Sequence, residues 1–154
     1  MKRFIAAALC ALCLTACGGQ SQQPAAYQTG DLDELVQAGA FSEELETLDG
    51  DMAFMLYALS EYELERDALQ DCAVLRSSGA TCEEGAVLLF ADEAAAQKAE
   101  QALGDYLAAQ IRANEDYRPG EIPKLEEALL QRRGSTLLLV VAADMDAVTQ
   151  TLEN

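Results

Sequence analysis

Between Glu93 and about Asn114 the chain is dominated by alanine, glutamine and glutamate, all good helix formers. Asp92 stands where its carboxylate can cap the first turn. Ala96, Ala99, Leu103, Tyr106, Leu107, Gln110 and Ile111 recur at helical spacing and form one stripe. A helix this long with a single apolar stripe needs a flat partner, and the flanking segments supply one. Cys72–Arg76 and Gly85–Phe90 read as strands joined through a turn at Ser77–Thr81. Arg133-Gly134 marks the bend of a second hairpin, since glycine supplies the positive φ such turns require. Leu137–Val141 is apolar on both faces. It reads as an interior strand covered on both sides, or as one covered by helix on one side and by a second copy on the other. The expected class is α+β: a single antiparallel or mixed sheet of about four strands, with the long helix and a C-terminal helix packed against it.

The remaining segments are shorter. Asp31–Gly39 places Leu32, Leu35 and Val36 on one helical face, with acids at its start. Phe41–Leu48 fits either a helical turn or an irregular edge segment, and a strand near Leu45 would allow a ferredoxin-like order. Asp51 is expected to cap a largely buried helix over Met52–Leu59, and the acidic Ser60–Asp67 a solvated connection. Gly104 weakens the long helix by roughly 1 kcal/mol and would be explained by close packing. Tyr117–Gly120 breaks that helix, Pro123 opens a short turn, and Asp144 caps a final helix through Leu152.

The N-terminus carries a different kind of information. Met1-Lys2-Arg3 is basic, and Phe4–Leu14 is a thin apolar run, too short for a mature membrane span but suited to a secretory signal. Leu14-Thr15-Ala16-Cys17 at its end resembles the lipobox of bacterial lipoproteins. That resemblance implies removal of residues 1–16 and a diacylglyceryl group on the Cys17 thiol. Two acyl chains hold a protein on a bilayer where one holds it only marginally. Residues 17–30, polar and nearly uncharged up to Ala26, read as a flexible tether, and residues 31–154 as the folded domain. The expected address is the outer face of the cytoplasmic membrane, reached by general export.

The full chain has 27 acidic and 10 basic residues, a net charge of −17. Loss of Lys2 and Arg3 with the signal leaves 27 acids against 8 bases. Such a surface repels nucleic acid, which needs a basic footprint. There is no histidine and no tryptophan. Without histidine, serine–histidine and cysteine–histidine catalysis are excluded and a catalytic zinc site is disfavoured. No cofactor or metal is expected, and catalysis, if any, would have to use carboxylates alone.

Several segments follow one another in a known order: Phe41–Leu45, Leu56-Tyr57, Ser77–Val87, the alanine-rich helix, Pro123–Glu126, and Arg133–Leu139. Over roughly residues 31–152 this resembles the small Firmicutes lipoproteins of domain-of-unknown-function family 4358. The resemblance implies an acidic α+β domain behind a lipobox, and it carries no catalytic residues. The chain departs from the family pattern in two places. Gly85-Ala86 stands where glutamate–isoleucine is usual, and Ser135-Thr136 where asparagine–tyrosine is common.

Candidate sites are few. Cys72 and Cys82 flank the first hairpin turn and form either a disulfide, in an oxidising compartment, or two half-buried free thiols. Glu61, Glu63, Glu65 and Asp67 lack the spacing of a calcium loop. Glu83-Glu84 and Glu126-Glu127 could act as an acid–base pair only if the fold held them apart across a cleft. Tyr106, Tyr117 and Arg118 are candidates for an interaction surface near the end of the long helix, as is the Arg132-Arg133 cluster. The leading expectation is a non-catalytic, lipid-anchored accessory module, attached to lipid through Cys17 and meeting a membrane or cell-surface protein. The alternative is a small-ligand or cation-binding lipoprotein serving a membrane transporter.

Overall fold

A computed structural model describes residues 25–153. The expected signal segment, Cys17 and most of the expected tether lie outside the described residues. The chain runs through α1 (Asp31–Gln37), β1 (Glu46–Leu48), α2 (Gly50–Leu56), β2 (Leu69–Arg76), β3 (Glu84–Phe90), α3 (Glu93–Asn114), α4 (Ile122–Glu126), β4 (Leu129–Arg133), β5 (Thr136–Val141) and α5 (Met145–Leu152). Short 3-10 turns fill Leu59–Tyr62, Arg66–Ala68 and Pro119–Glu121. The five strands form one sheet in the order β1-β2-β3-β5-β4, antiparallel throughout. This is the expected α+β class, with one strand more than the sequence suggested.

The doubly apolar β5 explains the layering. Successive residues of a strand point to opposite faces. Leu137, Leu139 and Val141 join Ala86 and Leu88 of β3 beneath Ala96, Ala99 and Leu103 of α3. Leu138 and Val140 join Val87 on the other face, under Leu32 and Leu35 of α1 and Val148 of α5. Both faces are therefore covered by helices of the same chain. Each fully buried leucine contributes about 1.5–3 kcal/mol relative to an exposed one, so β5 anchors two cores at once. Close approach of α1 depends on Gly85, where a Cβ would stand 2.4 Å from Leu32 Cδ1 and 3.0 Å from Phe41 Cζ.

Several local expectations hold. Asp92 and Asp144 cap α3 and α5 through the amides of Ala95 and Ala147. Gly134 turns the β4–β5 hairpin at φ +57°. Others need correction. Asp49, not Asp51, caps α2, accepting from the amides of Asp51 and Met52. The helix ends at Leu56 because Ala58 adopts the left-handed conformation, and Met52 and Met55 face solvent instead of the core. The segment after Leu45 does supply a strand, but β1 pairs with β2 at the sheet edge, not in the centre as a ferredoxin-like order requires. A Cβ on Gly104 would meet nothing within 4 Å, so close packing does not explain that glycine.

The domain also begins earlier than residue 31. Tyr27 is buried, its amide donates to Thr136 Oγ1 at 2.9 Å, and its hydroxyl bonds Gln131 Oε1. The Arg133 guanidinium lies 4.3 Å from the centre of its ring. Tyr27 thus fastens the incoming chain to the β4–β5 hairpin.

Candidate functional site

Residue 84 opens β3 on the face that carries Ala86 and Leu88, so its side chain enters the α3 side of the sheet at the mouth of the core. There it is covered by α2 and α3. Tyr57, at the C-terminal end of α2, donates its hydroxyl to Glu84 Oε1 at 2.7 Å, and Tyr106 of α3 donates to Oε2 at 2.7 Å. The two rings meet edge to face, with centroids 5.2 Å apart and planes at 87°. Arg76 is the cross-strand neighbour of Glu84 and reaches Oε2 through Nε at 3.2 Å. Burial pushes the Glu84 carboxyl above its ordinary range despite these donors. Burial and then the Glu84 charge drive the Tyr106 phenol far upward, and Tyr57 follows for the same reasons.

Beside this cluster a cleft of about 280 Å³ opens between the β2–β3 hairpin, the C-terminal half of α3 and α4. Arg76, Glu84, Tyr106 and Gln110 present polar atoms to it, while Leu107 and Leu125 give it an apolar wall. Arg118 braces the rim. It donates to the carbonyls of Gly79 and Thr81 at 2.9 Å and to Asn114 Oδ1 at 2.9 Å, tying the hairpin loop to the end of α3.

Glu83 has a separate role. It is fully buried and accepts from the Ser42 amide at 2.7 Å, the Ser42 hydroxyl at 2.5 Å and Lys124 Nζ at 2.8 Å. Burial alone would raise its carboxyl, but hydrogen bonds from Lys124 and Ser42 outweigh that and hold it below its ordinary value. Glu121 pairs with the same lysine at 3.2 Å and accepts from the Cys82 amide at 2.8 Å. Glu83 and Glu84 are therefore locked to different partners and do not face one another across a cleft.

The other sequence candidates disperse. The disulfide alternative is corrected: Cys72 and Cys82 are both free thiols. Cys72 stands opposite Leu88, whereas Cys82 precedes Glu84, the partner of Arg76. Four rungs of ladder, roughly 13 Å, exceed the reach of a bridge, about 7 Å between Cα atoms. Burial is the main influence raising both thiols. Tyr106 lies in the cleft and Arg118 on its rim, but Tyr117 points to solvent, with Arg118 5.7 Å from its ring centre. Arg132 and Arg133 belong elsewhere. Thr136 faces Leu89 and Val141 faces Glu84, so the β4–β5 bend is at the far end of β3 from the cleft. Arg132 pairs with Glu100 at 3.0 Å, and Arg133 covers Tyr27.

Sequence reasoning did not single out Arg76, and it considered Glu84 only as half of an acid pair. A glutamate at the head of an otherwise apolar strand, with two tyrosines on neighbouring helices, was the available signal.

A five-stranded antiparallel sheet sandwiched between helices, with a small polar cleft at one end, defines a three-layer α+β domain. The chain belongs to the family described as Domain of unknown function (DUF4358), whose model matches residues 46–142. The matched span starts at β1 and ends just past β5, so it contains every strand and the cleft. No curated protein and no solved structure matches this chain. No helix among the described residues is long and apolar enough to cross a membrane.

Proposed function

We propose that the chain is a lipid-anchored extracytoplasmic module that acts by binding, as an accessory to a membrane or cell-surface protein, and catalyses no reaction itself. The observation supporting it is the state of the two buried carboxylates beside the cleft. Glu84 spends its oxygens on Tyr57, Tyr106 and Arg76, and Glu83 spends its own on Ser42 and Lys124. Neither is free to carry a proton to or from a substrate, and the chain contains no histidine to do so. Anchorage rests on the resemblance of Leu14–Cys17 to a lipobox.

The test is Cys17→Ser. The parent protein should sediment with membranes and carry an acyl mass, and the variant should lose both. Unchanged fractionation and mass would overturn the anchored reading. Reproducible co-purification of one membrane protein from native membranes would support the accessory role.

A second reading, a small-ligand-binding lipoprotein associated with a membrane transporter, is favoured by the cleft itself. Its walls combine polar groups with an apolar side, as small-molecule sites do.

A further inference from the structure

We propose that the cleft between the β2–β3 hairpin and α3 binds a small organic carboxylate, with its anionic group on the Arg76 guanidinium and its apolar body against Leu107 and Leu125. This deepens the ligand-binding reading and rests on it, not on the lipid anchor.

The argument is a count of donors and acceptors. A guanidinium presents five N–H donors in a fixed fork, and one carboxylate can take about two of them. Among the described residues, Glu84 is the only carboxylate within ion-pair distance of Arg76. Its two oxygens already receive the hydroxyls of Tyr57 and Tyr106. Glu46 stands opposite Arg76 in the β1–β2 register but makes no ion pair with it. The Arg76 side chain is 38% exposed while Glu84 is 4% exposed, so the unspent edge of the guanidinium faces outward into the cleft. Gln110 lines the same space, and its side-chain amide makes no hydrogen bond to the described protein.

Most nearby acceptors are spent, the exception being Glu46, an exposed carboxylate that also lines the cleft. Glu83 is closed by Ser42 and Lys124, and the carbonyls of Gly79 and Thr81 are taken by Arg118. What remains beside the apolar wall is the outward edge of the Arg76 guanidinium and the Gln110 amide, with the exposed Glu46 carboxylate at the β1 edge. A carboxylate matches the planar fork of an arginine in a way that a cation or a neutral amide cannot. The chain's strong negative charge does not cancel this, because charges beyond about 8 Å are largely screened at physiological salt. The cavity is at the small end of ligand pockets, which suits one amino-acid-sized molecule and not a polymer.

The test uses the full-length protein in detergent and a matched pair of probes, N-acetyl-leucine and its uncharged amide, N-acetyl-leucinamide, followed by calorimetry. N-acetyl-leucine should bind saturably, and the amide should bind roughly tenfold or more weakly, the loss of a charge-assisted contact. Arg76→Gln should bring the acid down to the level of the amide. Glu84→Gln keeps an acceptor for the tyrosines but releases the guanidinium from a competing carboxylate, so it should tighten binding severalfold. This variant also guards against a folding defect in Arg76→Gln, because it predicts a gain. The proposal is overturned by no saturable heat with N-acetyl-leucine at millimolar concentration, by equal binding of the amide, or by weaker binding in Glu84→Gln. Equal saturable binding of the two probes would overturn the carboxylate assignment while leaving the ligand-binding reading standing, whereas no saturable heat from either probe would count against both.

Discussion

Replacing Lys124 with methionine probes the junction that holds the cleft in shape. Glu83 just before β3, Ser42 in the loop after α1, and Lys124 on α4 converge on one fully buried carboxylate. At 2.8 Å the Coulomb attraction is about 6 kcal/mol with an effective dielectric constant near 20. Much of that offsets the desolvation of both ions. Breaking a buried pair while leaving one charge behind typically costs about 3–5 kcal/mol. Lys124 is partly exposed, so Lys124→Met should fall at the lower end, near 3 kcal/mol. For a domain of this size that lowers the melting temperature by roughly 10 °C.

The pH dependence has a definite sign. The Glu83 carboxyl is held below its ordinary value of 4.5, so its contribution is present above that value and is lost as pH falls through the folded-state value. Without Lys124, burial is the largest remaining influence, and the carboxyl can relieve its cost by taking a proton. The penalty of the substitution should therefore be greatest near neutrality and shrink on acidification. Urea unfolding followed by circular dichroism across acid to neutral pH, with Glu83→Gln and the double variant completing a cycle, measures both quantities. A loss below about 1 kcal/mol at neutral pH, well under the range for a broken buried pair, would refute the argument. So would a penalty of the same size at acid pH.

Two further outcomes are expected from the core and the long helix. Leu139→Ala and Leu138→Ala open cavities on opposite faces of β5, and each should cost about 2–5 kcal/mol in thermal or urea unfolding; a negligible cost for Leu138 would mean that α1 and α5 do not seal that face. Gly104→Ala should stabilise the protein by roughly 0.5–1 kcal/mol, because a Cβ there meets nothing and α3 gains a better helix former. A lower melting temperature for that variant would show an undetected close neighbour.

Local patterns in the chain were sufficient for α3, α5, both main hairpins and the α+β class, because each depends on contacts within a few residues. Alanine-rich spacing, aspartate caps and a glycine at the bend act locally, and the fold uses them where they occur. Only the tertiary structure decided what covers the second face of β5, since apolar residues at every position demand two partners without naming them. It also decided that Tyr27 belongs to the domain, that two cysteines ten positions apart stand too far along the ladder to meet, and that Glu83 and Glu84 serve different clusters. The cleft was not legible for the same reason. Arg76, Glu84, Tyr106 and Gln110 come from two strands and a helix, and their shared geometry exists only when the sheet pairs and α3 settles across it. Periodicity records which side of an element is buried, but the polar partner waiting on that side is chosen by chain topology.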